Sequence, residues 1–262
     1  MKTIIRSAAF WLVVVVGAFC NLPATAFAQS GTNLLTEIAG WRSTNDVADI
    51  LHSLPAIEQL WPHEPEMYFR CMAEATTGLS HASATNKEVA ESMLVVCTNL
   101  MKTNYPADPG ITATCIAIQC AAIESCFNAE ILRRSKACLL AYGRFLGEIR
   151  SLRIPNYTMR GAGVPPGTRE IFVREHVPPS YDRLTNAADR QEYDRLAAEN
   201  EKGRQMDNLQ HILLMADNGT KFMLMAYSSY FPASNPTNAD FIREIGVEAR
   251  LTEVERQELG KK

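Results

Sequence analysis

Six of the seven cysteines in this chain of 262 residues fall in one block, and that block most constrains the fold. It extends from residue 71 to residue 138, and no cysteine follows it. An even number of cysteines in an exported chain favours structural disulfides. The residues between them have helical periodicity, so we expect the cysteines to join helices rather than to fasten a loop-rich miniprotein.

The amino terminus has the layout of a secretory signal peptide. Lys2 and Arg6 form a short basic region, the apolar run 8–19 follows, and Ala26–Ala28 supplies small residues before Gln29. We therefore predict cleavage after Ala28 and a periplasmic or secreted protein of bacterial type. An uncleaved anchor is the alternative, but the apolar run is shorter than the roughly 20 residues that a bilayer requires.

The charge of the mature chain argues against a nucleic-acid partner. Without residues 1–28 the chain has 24 basic and 29 acidic residues, a net charge of −5. Nucleic-acid binding normally needs a basic excess, and neither half of the chain has one. After the leader, no apolar run is long enough to span a membrane, so no transmembrane segment is expected.

Apolar residues recur at helical spacing along most of the mature chain. The predicted helices cover residues 33–41, 44–54, 65–77, 85–101, 111–123, 128–150, 206–217 and 221–231, and two more begin near 237 and 252. A strand is the alternative for 111–118 and for 221–231. The predicted fold class is all-α: an irregular disulfide-stapled helical bundle or α–α superhelix, with a Pro/Gly-rich loop or short β-hairpin inserted.

Local signals predict where several helices begin and end. Pro55 and Gly78 are expected to terminate helices, and so is the Asn218–Gly219 pair. Thr85 and Glu88 have the spacing of a capping box, in which each side chain satisfies a backbone amide of the other residue. Glu88 is therefore interpreted as a capping residue rather than as a general acid.

Composition divides the mature chain into three regions. Residues 29–150 form the predicted disulfide-stapled helical region. Residues 151–180 form a Pro/Gly-rich connector or hairpin, because 154–179 contains five prolines and three glycines. Residues 181–262 form a carboxy-terminal helical region packed on the first.

A symmetry argument predicts how the six cysteines pair. Two antiparallel helices joined by a turn bring together residues at equal distances from that turn. The predicted disulfides are Cys71–Cys97, Cys115–Cys138 and Cys120–Cys126. The last pair requires a break in the helix near residues 122–125, because six helical positions would place the two side chains on different faces.

The sequence contains no recognised catalytic, cofactor-binding or metal-binding motif. The nearest polar constellation is 63–66 (His-Glu-Pro-Glu), with His52 and His81 nearby in the chain. Carboxylates at the start of a helix are stabilised by its positive end, which is a sufficient structural reason for Glu64 and Glu66. We therefore predict no catalytic residue, no cofactor and no metal ligand.

These observations favour an exported, non-catalytic helical protein that binds another envelope or secreted protein or serves as a scaffold. One alternative is a periplasmic hydrolase that uses carboxylates on cell-wall or polysaccharide material, since such pairs leave no readable motif. Another is a carrier of a small hydrophobic ligand, with the Met-rich aromatic run 222–231 as one wall. Core packing is the simpler interpretation of that run.

Overall fold

A computed structural model describes residues 31–61, 63–83, 85–153 and 187–261. Within these ranges the chain is mostly helical and has no β-strand, which confirms the all-α prediction. The helices of these ranges are α1 (Gly31–Thr44), α2 (Val47–Leu60), α3 (Pro65–Ser83), α4 (Lys87–Leu100), α5 (Pro109–Cys126), α6 (Glu130–Arg133), α7 (Lys136–Leu152), α8 (Ala187–Ser228), α9 (Pro236–Glu248) and α10 (Glu253–Glu258). The predicted leader 1–28 and the Pro/Gly-rich segment 154–179 lie outside the described residues.

Helix α3 is the central element of the amino-terminal part, because it contacts α1, α2, α4 and α5. Helix α5 contacts both α3 and α8, and α7 contacts both α8 and α9. One hydrophobic core joins these helices. Its largest fully buried side chains include Tyr68, Phe69, Phe127 and Phe145. None of the described helices combines the length and the apolar character that a membrane span needs.

Pro55 lies inside helix α2, so the predicted helix end at this proline is wrong. An interior proline removes one backbone donor and costs about 3 kcal/mol. Ile57 and Leu60 lie beyond it and are buried. Burial of such side chains contributes about 1.5–3 kcal/mol each, which offsets the cost of the proline and keeps the helix intact.

Gly78 also lies inside a helix, since α3 continues to Ser83. A Cβ built at this glycine would lie 2.5 Å from Ile50 Cδ1, closer than non-bonded carbon atoms approach. Gly78 therefore allows α3 to approach the neighbouring helix α2. Its role is close packing rather than the helix termination that we predicted.

Helix α4 is capped by Asn86 rather than by Thr85. The Asn86 side chain accepts hydrogen bonds from the backbone N–H groups of Glu88 and Val89, at 3.0 and 3.4 Å. The Thr85 hydroxyl donates to the carbonyl of Ala82. The helix thus begins one residue later than the capping-box spacing predicts, because an Asn side chain satisfies the same backbone donors.

The buried glutamine of α5 has hydrogen-bond partners for both ends of its amide. Gln119 Nε2 donates to the carbonyl oxygens of Leu100 and Lys102, at 2.5 and 2.7 Å. The Tyr105 hydroxyl donates to Gln119 Oε1 at 2.6 Å. Gln119 therefore caps the end of α4 from within the core. Residues 111–118 belong to helix α5, so the alternative strand for this segment is wrong.

Helix α8 extends over 42 residues and passes through Asn218 and Gly219 without interruption. The predicted helix end at this pair is therefore wrong. Leu213, Thr220 and Leu224 are buried on one side of the helix. Their burial on both sides of Gly219 outweighs the cost of about 1 kcal/mol that a glycine imposes in a helix interior. The alternative strand for 221–231 is excluded as well, since α8 continues to Ser228.

Candidate functional site

All six cysteines of the central block are free thiols in the structure. The predicted stapling by Cys71–Cys97, Cys115–Cys138 and Cys120–Cys126 is therefore not supported. Cys97 Sγ lies 3.7 Å from Cys138 Sγ, whereas the Cys71 thiol donates to the carbonyl of Gly31. The symmetry argument required α5 and α7 to form a hairpin, but α5 packs mainly against α3 and α8.

The break that the Cys120–Cys126 pair requires is also missing, since α5 continues without interruption from Pro109 to Cys126. Cys126 is buried in the core, whereas Cys120 is partly exposed on the side of α5 that faces α8. Six positions in a continuous helix place two side chains on different faces. The unbroken helix therefore keeps these two thiols apart.

The histidine and glutamate constellation does not come together as a site. Glu66 accepts two hydrogen bonds from the Arg70 guanidinium, at 2.7 and 2.9 Å. His81 lies on the surface, with its Nδ1 at 3.0 Å from the carbonyl of Thr77. His52 and His63 are exposed. Across the described residues, no group of three or more His, Cys, Asp or Glu side chains is arranged to hold a metal ion.

The best candidate for a functional site is an open groove of about 490 Å³ between α5 and α8, which we call the α5–α8 groove. Its size falls in the range of small-molecule and peptide-binding clefts. Its described lining is mainly apolar: Ile116, Ala117, Cys120, Ala121, Glu124, Asn128, Tyr142, Ile212, Met215, Ala216, Gly219, Thr220, Phe222, Met223 and Tyr227.

Small residues at helical spacing open the groove. Ala117 and Ala121 are one turn apart on the exposed side of α5. Gly219 faces them from α8, and a Cβ built there would meet no atom within 4 Å. Because these three residues carry little or no side chain, the two helices leave free space between them above the buried contact.

Two large apolar side chains on α8 border this space and remain exposed. Phe222 has 74% of its surface exposed and Met215 has 59%. They are seven positions apart, nearly two helical turns, so they lie on the same face of α8 about 10 Å apart along the axis. Core packing thus explains the buried Leu224 of the aromatic run but not Phe222.

The floor of the groove is polar and buried. Thr220 is 3% exposed and Tyr142 is 3% exposed. The Tyr142 hydroxyl donates to the sulfur of Met223 at 3.7 Å. Burial raises the pKa of the Tyr142 hydroxyl well above its usual value of 10.0, so the group stays neutral. The floor therefore offers neutral hydroxyl groups under an apolar cleft.

The groove has the chemistry of a binding site rather than of a catalytic one. Glu124 is the only carboxylate among its described lining residues. Burial, followed by the charge of Glu124, raises the pKa of the Cys120 thiol to about 12, which suppresses its nucleophilic form. Burial likewise raises the pKa of the Cys71 thiol to about 12 and that of Cys115 to about 11.

We predict that alkylation of Cys120 in the folded protein accelerates about tenfold for each pH unit between pH 7 and pH 9 and continues to rise above pH 9. The reason is that the thiolate fraction keeps growing until the pH reaches the raised pKa of about 12. Mass spectrometry of the iodoacetamide adduct at Cys120 measures the rate. The same chain in urea serves as control and should level off near the ordinary thiol pKa of about 8.5. A plateau near pH 9 in the folded protein would contradict the prediction.

Comparison with protein-family models, with curated proteins and with solved structures finds no match to this chain. The function proposed below therefore rests on the geometry of the α5–α8 groove.

The sequence indicated one segment that lines this groove but did not reveal that two helices form it. The carrier alternative interpreted the run 222–231 as one wall of a ligand site, and Phe222 and Met223 of that run do line the groove. Gly219 was interpreted as a helix end. The overlooked signal is the helical spacing of Met215, Gly219 and Phe222, which continues one face of α8 across the apparent break.

Proposed function

We propose that this protein is an exported, non-catalytic binding protein of the cell envelope, and that the α5–α8 groove holds an apolar helical segment of another protein. The observation that carries the proposal is the exposure of Phe222 and Met215 beside an apolar groove. Exposed apolar surface next to a cleft is typical of interaction sites. Aromatic side chains and methionine are enriched in protein interfaces.

The shape of the groove favours a helix over a compact small molecule. A helix in a groove presents apolar side chains at intervals of one to two turns. Phe222 and Met215 are spaced nearly two turns apart along α8, so they match such a ligand along its length. The small residues Ala117, Ala121 and Gly219 allow another backbone to approach closely.

Electrostatics adds a second requirement for the occupant. Glu124 is exposed at the rim of the groove and forms no ion pair within the described part of the chain. A Lys or Arg side chain of the bound segment would meet this carboxylate at the edge, where such pairs contribute mainly to specificity and association rate. The partner we infer is thus an apolar helical segment that carries a basic residue.

The predicted leader, with cleavage after Ala28, supports an envelope or secreted protein as the partner. The hydrolase alternative would need a second carboxylate about 5–9 Å from the first, and the described lining of the groove supplies Glu124 alone. The carrier alternative uses the same groove with a smaller ligand, so the experiment must distinguish it from protein binding.

Gly219→Leu is expected to abolish binding while leaving the fold intact. The added side chain enters the groove, where a Cβ meets no atom within 4 Å, so it blocks the occupant without a clash. Gly40→Leu is the matched control, because Gly40 also lies inside a helix with no atom within 4 Å but is remote from the groove. Both variants should be at least as thermally stable as the wild type, since a glycine in a helix interior costs about 1 kcal/mol.

The measurement is photo-crosslinking from a benzoylphenylalanine placed at position 222 of the mature protein in envelope extract. The crosslinked peptide is then sequenced by mass spectrometry. We expect an apolar helical peptide with a basic residue, with yield reduced about tenfold or more by Gly219→Leu and unchanged by Gly40→Leu. Equal yield from all three proteins would refute the groove as the binding site. A bound small molecule in native mass spectrometry of the wild type, lost in Gly219→Leu, would establish the carrier instead.

A further inference from the structure

Three buried thiols meet where α4, α5 and α7 come together. Cys97, Cys126 and Cys138 are each at most 1% exposed. Cys97 Sγ lies 3.7 Å from Cys138 Sγ, and the adjacent Cys126 raises the pKa of the Cys97 thiol. Cys97 comes from the last turn of α4, Cys126 is the last residue of α5, and Cys138 lies in the first turn of α7.

We infer that Cys97 and Cys138 form a disulfide in the exported protein and that Cys126 beside them remains a thiol. The inference does not involve the α5–α8 groove or its occupant, but it rests on the export that the proposed function includes. Two sulfur atoms at 3.7 Å are already in contact, and bond formation requires them to approach to about 2.0 Å. Export to an oxidising compartment, which the leader predicts, supplies the conditions.

The position of each thiol on its helix decides which of them pairs with Cys97. Cys138 lies at the amino-terminal end of α7, where its backbone N–H donates to the Ser135 cap and the helix end favours negative charge. Cys126 lies at the carboxy-terminal end of α5, where the helix end disfavours a thiolate. Because the thiolate is the attacking species, Cys138 is the better nucleophile while the chain is still folding.

The oxidant we assign is a disulfide of the compartment, either that of a thiol oxidoreductase or oxidised glutathione. The Cys138 thiolate attacks one sulfur of this disulfide and releases one thiolate. The Cys97 thiolate then attacks the Cys138 sulfur of the mixed disulfide and releases the second thiolate. Two electrons pass to the oxidant, and the two protons of the cysteines end on the two thiols that leave.

The reaction must precede the closure of α7 on α4. In the folded chain the hydrogen bond with Cys97, together with burial, raises the pKa of Cys138 well above its usual value. The thiolate that exchange requires is therefore almost absent, and no external disulfide can reach it. A chain that folds before it is oxidised should consequently stay reduced.

Non-reducing peptide mapping of the mature wild-type protein from an exporting host tests the inference. After alkylation in denaturant, trypsin places the three thiols on separate peptides: 88–102 with Cys97, 103–133 with Cys115, Cys120 and Cys126, and 137–144 with Cys138. We expect a disulfide between 88–102 and 137–144, with Cys126 alkylated. A link from 88–102 to 103–133, or alkylation of both Cys97 and Cys138, would overturn the inference.

Two further measurements distinguish a Cys97–Cys138 disulfide from a non-bonded contact between the two thiols. Cys126→Ala should keep the disulfide, whereas Cys97→Ala should leave Cys138 open to alkylation in denaturant. Reduction in denaturant followed by refolding without oxidant should lower Tm by about 6–12 °C, as expected for loss of a disulfide from a chain of this size. The refolded chain should resist reoxidation by glutathione disulfide, and rapid reoxidation would contradict the proposed order of events.

Discussion

Replacement of Gly147 by alanine is expected to lower the free energy of unfolding by about 3 kcal/mol or more. A Cβ at this position would lie 2.0 Å from the carbonyl oxygen of Glu248 and 3.2 Å from its carbonyl carbon. Both are backbone atoms, so no side-chain rotation can relieve the clash. Helix α7 would have to move away from the end of α9, where Ala249 and Leu251 are buried in the core.

Gly143→Ala provides the matched control for this prediction. Gly143 precedes Gly147 by one turn on α7, but a Cβ there would lie 3.5 Å from Ile245, an ordinary van der Waals distance. Alanine in a helix interior is favoured over glycine by about 0.5–1 kcal/mol, so this variant should be neutral or slightly stabilised. Urea denaturation of the two variants measures the difference, and equal stabilities would show that α7 and α9 are farther apart than described.

Arg150→Met is expected to lower the free energy of unfolding by about 3 kcal/mol, because it removes the central cation between the buried Asp217 and the partly buried Glu255. The Arg150 guanidinium donates to Glu255 at 2.8 Å and to Asp217 at 3.0 and 3.2 Å. The Asp217 side chain is only 5% exposed. Arg153 also contacts Asp217, and Lys221 lies 3.3 Å from Glu255, but these two cations are 40% and 34% exposed and neither replaces the bidentate contact between Arg150 and Glu255. Arg150 thus joins α7 to both α8 and α10.

Arg144→Met is the control for this change, since Arg144 is on the same helix but its contact with Glu248 is exposed and 3.4 Å long. Its loss should lower the free energy of unfolding by at most about 1 kcal/mol.

The pH dependence of the free energy of unfolding gives a second test of the Arg150 contacts. The hydrogen bond from Arg150 holds the pKa of Glu255 well below its usual value of 4.5. Stability from this pair is therefore complete above pH 4.5 and is lost as the pH falls. The difference between wild type and Arg150→Met should accordingly shrink in acid, and a constant difference would show that Glu255 does not contribute.

Much of the fold could be predicted from the sequence because helices are marked by the spacing of nearby apolar residues and by local cap residues. The apolar stripes predicted α4 and α5 at nearly their observed positions. The predicted helix 128–150 corresponds to α6 and α7, which a break at Arg134 and Ser135 separates. The start of α3 at Pro65 and the start of a helix near residue 252 are confirmed as well, and Thr252 and Glu255 form a capping box at that start. Each of these signals involves residues within one or two turns of each other, so no knowledge of distant contacts is needed.

The continuation of helices through Pro55, Gly78 and Gly219 could not be predicted in this way. A proline or glycine inside a helix costs about 1–3 kcal/mol, which favours the end of the helix at that residue. In the folded chain, burial of side chains on both sides of each residue exceeds that cost. Gly78 shows a further reason, because its missing Cβ is what allows α3 to approach Ile50.

The neighbours of the cysteines were mispredicted for a related reason. The symmetry of a helical hairpin depends only on chain positions, and it placed Cys115 opposite Cys138. In the structure α5 packs against α3 and α8, and Cys138 lies beside Cys97, 41 residues away in the chain. Which helices pair is decided by the fit of whole apolar faces, and that fit cannot be read from cysteine spacing.

The sequence by itself therefore determined an all-α fold, because the period of its apolar residues is a local property that each helix satisfies separately. The tertiary structure alone decided three features: the continuity of α8, the contact of Cys97 with Cys138, and the groove beneath Phe222. Each of the three depends on the free energy of packing between segments far apart in the chain. The cysteine block that first constrained the fold owes its arrangement to that packing.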